Sequence, residues 1–238
     1  MVELPSASEL DALFLDAGNT VVFLDHGAIA EVAAGEGHRV EPERLREVEG
    51  IAKRRYEALL AEGGAHEEGY VLYLTTLLTE AGLGGSSART LMGPIQAETE
   101  RLNLWRRVPD DLGPALDRAQ AAGLRLAIIS NSEGRLPQLF RAVGLAERFE
   151  AVIDSHDLGV RKPDPRIFEA ALARLGVAAE RSLYAGDIPS VDVEGARGAG
   201  MHGVLIDTLG FYPDYDDAPR FGSVAALVAA LARGPGPG

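Results

Sequence analysis

The chain has 238 residues, 46% of them hydrophobic, enough for one generous domain or a core with a smaller companion. A formal charge of -13 would repel a phosphate backbone over most of the surface, which excludes nucleic acid as a partner in the absence of a local basic patch. With no cysteine there is neither a disulfide framework nor a thiolate zinc site.

The amino-terminal stretch Met1-Val2-Glu3-Leu4-Pro5-Ser6 lacks a basic region followed by a long apolar run. No apolar segment reaches bilayer-spanning length, so the expectation is a cytoplasmic protein without a membrane partner. A strand over residues 11–17 runs through Leu13-Phe14-Leu15 into Asp16, and the turn Gly18-Asn19 behind it presents that carboxylate at the strand's carboxyl end. From about residue 25 the sequence reads helical for some eighty residues with nothing strand-like between. One helix begins after Pro42, with apolar residues at Leu45, Val48, Ala52, Tyr56 and Leu59, and breaks at Gly63-Gly64. Residues 70–78 make a second, and residues 89–105 a third after a Gly84-Gly85-Ser86-Ser87 loop.

Beyond Pro109 helices and strands alternate. Strands are expected over 124–129, 151–153, 182–185 and 203–206, with helices through 112–119, 136–143, 166–175 and 191–199. This alternation implies a parallel sheet with helices on both faces, an α/β Rossmann-like core. Residues 207–222 read as irregular, a last helix covers 225–231, and the glycine-proline tail 233–238 reads as disordered. Domain bounds follow: a core of 1–24 and 106–232, and a helical insertion of 25–105.

Four strand ends carry reactive side chains, and in a parallel sheet they share one edge. Asp16 ends the first strand, Ser130-Asn131 the second, Lys162 follows the third, and Gly186-Asp187 ends the fourth with Asp192 five residues later. Asp16 and Asp187 make a pair of hard oxygen ligands that suits Mg²⁺. Ser130 and the backbone N–H groups behind it suit phosphate oxygens at a helix start. Lys162 supplies a point charge for a phosphoryl group or for the carboxylate of Asp16, and Asp164-Pro165 caps the next helix so that the lysine lies in a loop. The bland readings are a helix cap for Asp187, a dipole-favoured first-turn carboxylate for Asp192, and a turn residue for Ser130.

Together Asp16-Ala17-Gly18-Asn19-Thr20, Ser130-Asn131, Lys162-Pro163-Asp164-Pro165 and Gly186-Asp187 to Asp192 resemble the four ordered motifs of the haloacid dehalogenase superfamily. The resemblance covers residues 11–25 and 106–206, and the helical insertion resembles that family's cap domain, which would exclude water and choose the substrate. It implies a Mg²⁺-dependent hydrolase, a phosphatase of a small phosphorylated metabolite. Asp16 would be the nucleophile; Asp16, the Gly18 carbonyl, Asp187 and Asp192 would lie at the metal, and Ser130, Asn131 and Lys162 would hold the phosphoryl group.

One position departs. The family's phosphatases carry a second aspartate two residues past the nucleophile as general acid and base, and here that residue is Gly18. Hydrolysis is therefore expected to be weak or specialised, with Asp25 or His26 the nearest substitutes, unless His26 is an exposed loop histidine. A second reading is carbon–phosphorus cleavage by a cap lysine forming a Schiff base. Lys53 is the cap lysine, although Lys53-Arg54-Arg55 reads as a solvated helix face. Dehalogenases also change this position but do not keep the metal pair. A third reading is a degenerate core that binds a phosphorylated ligand or a protein partner without turnover. No heptad seam is legible, so no oligomeric state is assigned.

Overall fold

The computed structural model describes residues 4–233. It divides into two units, Met1–Phe23 with Arg107–Gly238, and Leu24–Arg106. The first strand, β1 (Ala12–Leu15), is buried at every position, as a strand covered on both faces must be. A short β2 (Phe23–Leu24) follows.

The second unit is built from helices α1 (His26–Gly35), α2 (Pro42–Ala61), α3 (His66–Glu80), α4 (Gly85–Thr90) and α5 (Met92–Arg101). Leu45, Val48 and Ala52 recur at helical spacing on α2 and bury against a cluster that includes Tyr73, Leu74, Leu77 and Leu78 of α3. Two sequence expectations need correction here. The glycine-serine loop is helical from Gly85 onward, and the third helix stops at Arg101, so that Trp105 lies in strand β3 (Trp105–Arg107). A three-residue strand is too short to show a period of two. Strands β2 and β3 make a two-stranded sheet of their own.

The first unit resumes with α6 (Leu112–Ala121), β4 (Arg125–Ser130), α7 (Leu136–Ala142), β5 (Ala151–Asp154), α8 (Ser155–Leu158), α9 (Pro165–Leu175), β6 (Ser182–Gly186), α10 (Glu194–Gly198), β7 (His202–Ile206), β8 (Arg220–Phe221) and α11 (Val224–Arg233). Helix α9 shows why the chain folds so locally. The Asp164 side chain accepts from the Arg166 N–H, Pro165 is pre-set at the first position, and Gly176 ends the helix at φ 64.

Two further corrections fall in this unit. The expected helix over 191–199 opens as a π-helical turn, Pro189–Val193, and the irregular stretch 207–222 contains β8. Asp207 ties that stretch down by accepting from the N–H groups of Phe211 and Tyr212 and from Arg220. Apart from Arg233, the tail expected to be disordered lies outside the described residues.

The sheet order is β5-β4-β1-β6-β7-β8, and every adjacent pair is parallel. From β1 the chain builds outward to one side through β4 and β5, then returns to build the other side. The order therefore reverses at β1, and a crevice opens at the carboxyl edge where an α/β sheet binds ligands. The register places Leu15 level with Ile128 and Ala185, so Asp16 emerges beside the ends of β4 and β6. Among the described residues no helix is long and apolar enough to cross a membrane.

Candidate active site

Asp16 sits one residue beyond β1, its N–H donating to the Ala185 carbonyl at 2.9 Å. Behind it the chain doubles back: the N–H groups of Val21 and Val22 donate to the Ala17 carbonyl, and Gly18 forms a bridge with Val22. Asn19 adopts φ 53, a left-handed conformation that asparagine tolerates better than most residues. The turn aims Asp16 at Lys162, whose Nζ donates to Asp16 Oδ1 at 2.6 Å. The same ammonium donates to Asp192 Oδ1 at 2.8 Å and to the Tyr184 hydroxyl at 2.6 Å. These three acceptors use all three of its protons.

Asp192 reaches inward because the π-helical turn displaces it toward the sheet; its Oδ2 accepts from the Ile188 N–H at 2.9 Å. Gly186 makes room for it. A Cβ there would lie 2.3 Å from Asp192 Cγ. Asp187, at the end of β6, completes a buried acidic group in which Asp16, Asp187 and Asp192 each offer an oxygen, all within 4.8 Å of one another. Three buried carboxylates face one ammonium. Burial, and then the charges of Asp192 and Asp187, push the Asp16 carboxyl up to about 7 against the pull of Lys162. For Lys162 burial opposes the charged form, but Asp16 and Asp192 outweigh it and hold its pKa above the usual lysine value. Burial likewise raises Tyr184, which stays a neutral phenol. A hard, all-oxygen donor set short of positive charge fits Mg²⁺.

Ser130 is the last residue of β4 and is buried. The loop behind it is not a helix start, since α7 begins only at Leu136. Asp154, at the end of β5, holds that loop instead by accepting from the Ser132 hydroxyl and the Gly134 N–H, while its other oxygen accepts from the His156 N–H. Asn131 turns toward Lys162. Its Oδ1 accepts from the Lys162 N–H at 2.8 Å and its Nδ2 donates to the Lys162 carbonyl at 3.0 Å.

The sequence-predicted residues Asp16, Lys162, Asp187 and Asp192 thus converge, Ser130 ends the strand beside β1, and Asn131 is joined to them through the lysine. Tyr184 and Asp154 escaped sequence reading. Tyr184 counts as one more apolar residue in a buried strand, and its only signal is that a buried tyrosine hydroxyl needs a partner.

Residues of the helical unit depart from expectation. His26 is not an exposed loop histidine but the first residue of α1, 3% exposed, with its Nε2 2.9 Å from Glu49 Oε2. Glu49 also accepts from the Tyr73 hydroxyl at 2.7 Å. Asp25 caps α1 and accepts from Arg106 at 2.9 Å. Burial opposes its ionisation, but the guanidinium and the cap hold its carboxyl below the usual range, which disfavours it as a proton donor. Lys53 is not on a solvated face: it is 4% exposed, its Nζ 3.7 Å from Glu57 Oε1, while Arg54 and Arg55 are exposed.

A sequence profile described as haloacid dehalogenase-like hydrolase matches residues 10–200. The chain belongs to that family. It is 37% identical to the phosphoserine phosphatase of Thermus thermophilus over 166 residues, 68% of this chain and 62% of that protein. It is 40% identical to the mouse haloacid dehalogenase-like hydrolase domain-containing protein 3 over 84 residues, 35% of this chain and 34% of that protein. The alignments therefore span less than two thirds of these curated relatives. A putative HAD-hydrolase from Bacillus subtilis bound to magnesium shares the fold at a TM-score of 0.66, with 19% identity over 93% of this chain and 98% of that one.

Proposed function

We propose that this family member is a Mg²⁺-dependent phosphatase of small phosphorylated metabolites that works by phosphoryl transfer to Asp16. The observation that carries the reading is the buried group of Asp16, Asp187 and Asp192 at the sheet edge, with Lys162 Nζ 2.6 Å from Asp16 Oδ1. The name of the Thermus relative supports the reaction class.

Lys162 occupies Oδ1 and leaves Oδ2 to attack phosphorus. The P–O bond to the leaving alcohol breaks as the acyl phosphate forms. Water then attacks phosphorus, releases the Asp16 carboxylate and yields inorganic phosphate, so one difficult displacement becomes two easier ones. Ser130 Oγ and the backbone N–H of Asn131 would hold the phosphoryl oxygens. Asp16, Asp187, Asp192 and the Gly18 carbonyl would hold Mg²⁺, which when bound supplies charge neutralisation for the phosphoryl group. Gly18 has no proton to give, so the leaving oxygen takes its proton from solvent or from the substrate itself. That loss is worth about 10²- to 10⁴-fold and favours substrates with good leaving groups. Turnover of p-nitrophenyl phosphate that requires Mg²⁺ and disappears in Asp16→Asn supports the reading; folded wild type without turnover on any phosphate ester overturns it in favour of a ligand-binding protein.

Burial of Lys53 keeps a second reading open, carbon–phosphorus cleavage through a Schiff base. The Lys53 Nζ lies 3.7 Å from Glu57 Oε1. Borohydride trapping of a phosphonoaldehyde on Lys53 would establish that reading, and turnover of the same compound without trapping would dismiss it.

A further inference from the structure

We infer that Asn131 and Tyr184 are positioning residues that act through Lys162. The inference rests on the phosphatase reading only for its kinetic consequence; the contacts stand without it. The Asn131 amide offers an acceptor and a pair of donors; its Oδ1 accepts from the Lys162 N–H at 2.8 Å and one N–H of Nδ2 donates to the Lys162 carbonyl at 3.0 Å. An amide so engaged keeps one N–H and one oxygen lone pair to spare, but its orientation is set by the two backbone contacts. What the pairing fixes is the point from which the lysine side chain departs.

Tyr184 acts at the other end. Its hydroxyl accepts from Lys162 Nζ at 2.6 Å and lies 3.0 Å from Asp192 Oδ1 and 3.1 Å from the Ile129 carbonyl. A phenol fully buried on the central sheet cannot wander, so the ammonium it holds cannot either. With backbone and Nζ both pinned, a flexible four-carbon chain that would otherwise sample many rotamers keeps its charge on Asp16 Oδ1. Removing either clamp should therefore lower the rate of attack and leave phosphate binding in place.

The composition makes this testable, because Lys53 and Lys162 are the only lysines. A sample labelled with [¹⁵N]lysine shows two backbone amides, with Lys53 as the internal control. In Asn131→Ala the Lys162 amide is expected to exchange with solvent at least about tenfold faster while Lys53 is unchanged, as follows from loss of its one acceptor. In Tyr184→Phe the Lys162 amide should stay protected. On p-nitrophenyl phosphate both variants are expected to lose about tenfold in kcat with KM within about twofold, the pattern of an interaction that matters at the transition state. An unchanged Lys162 amide in Asn131→Ala overturns the inference, and so does a raised KM with kcat intact, which a direct phosphoryl ligand would give. If wild type turns nothing over, the phosphatase reading fails, and the amide exchange alone decides whether Asn131 holds Lys162.

Discussion

The cluster of three carboxylates around one ammonium predicts an unusual dependence of stability on pH. The Asp16 carboxyl sits at about 7 in the folded protein against 3.8 as the ordinary aspartate value. Because the groups are coupled, the extra proton belongs to the cluster as a whole. Between these two values the folded state binds one more proton than the unfolded chain. Metal-free stability should then fall as pH rises, by about 1.4 kcal/mol per pH unit, or about 2 to 3 kcal/mol from pH 5 to pH 7. The carboxyls with lowered pKa do not mask this. Glu98, at about 2, contributes stability that is fully present above its ordinary value and is lost only on further acidification. Mg²⁺ should cancel or invert the slope, since its ligands must be deprotonated to bind. Urea unfolding followed by far-UV circular dichroism at several pH values in this range, with a chelator and then with Mg²⁺, reads it directly. Fluorescence would not, because Trp105 belongs to the helical unit. In Asp16→Asn the slope should vanish. A metal-free stability that is level or rising across the range, or a slope that survives in Asp16→Asn, would refute the reasoning.

Other perturbations test other joints. Gly186→Ala puts a methyl 2.3 Å from Asp192 Cγ, so Asp192 must leave its place; Mg²⁺ affinity measured by calorimetry should fall at least about tenfold, by analogy with losses on disturbing metal-site geometry, with the fold retained. Gly18→Asp restores a carboxyl two residues past Asp16 and should raise hydrolysis of alkyl phosphates by about 10²-fold or more, while p-nitrophenyl phosphate changes little. A fall on both substrates would mean the site is adapted to glycine. Glu49→Ala strips the acceptor from the Tyr73 hydroxyl and the partner from His26, and should destabilise the helical unit by about 2 to 3 kcal/mol. Trp105 fluorescence reports it, as the indole lies 5.6 Å from the Tyr73 ring.

Long elements were legible because each carries its own signal. Strand β1 is an unbroken apolar run, and α2 and α9 have apolar stripes and a proline in the first turn. Their order sufficed to bring Asp16, Lys162, Asp187 and Asp192 together, since parallel strands share an edge. The two- and three-residue strands β2, β3 and β8 were not legible, because no periodicity exists at that length. Nor were roles that depend on which side chain meets which. Lys53 stands in a run of three cations, and only the rotation of α2 decides that Lys53 is buried and Arg54 is not. Asn131 follows a strand end in the manner of a phosphate ligand, and only the loop's return path brings the Lys162 backbone against its amide.

The proposal that Asp16 is the nucleophile is tested most directly by quenching the protein in acid during turnover of p-nitrophenyl phosphate with Mg²⁺ and weighing the peptide that carries Asp16. A phosphoryl group on Asp16, absent from Asp16→Asn and lost on treatment with hydroxylamine, is the predicted result. Steady turnover with Asp16 unmodified, or with activity retained in Asp16→Asn, would contradict it.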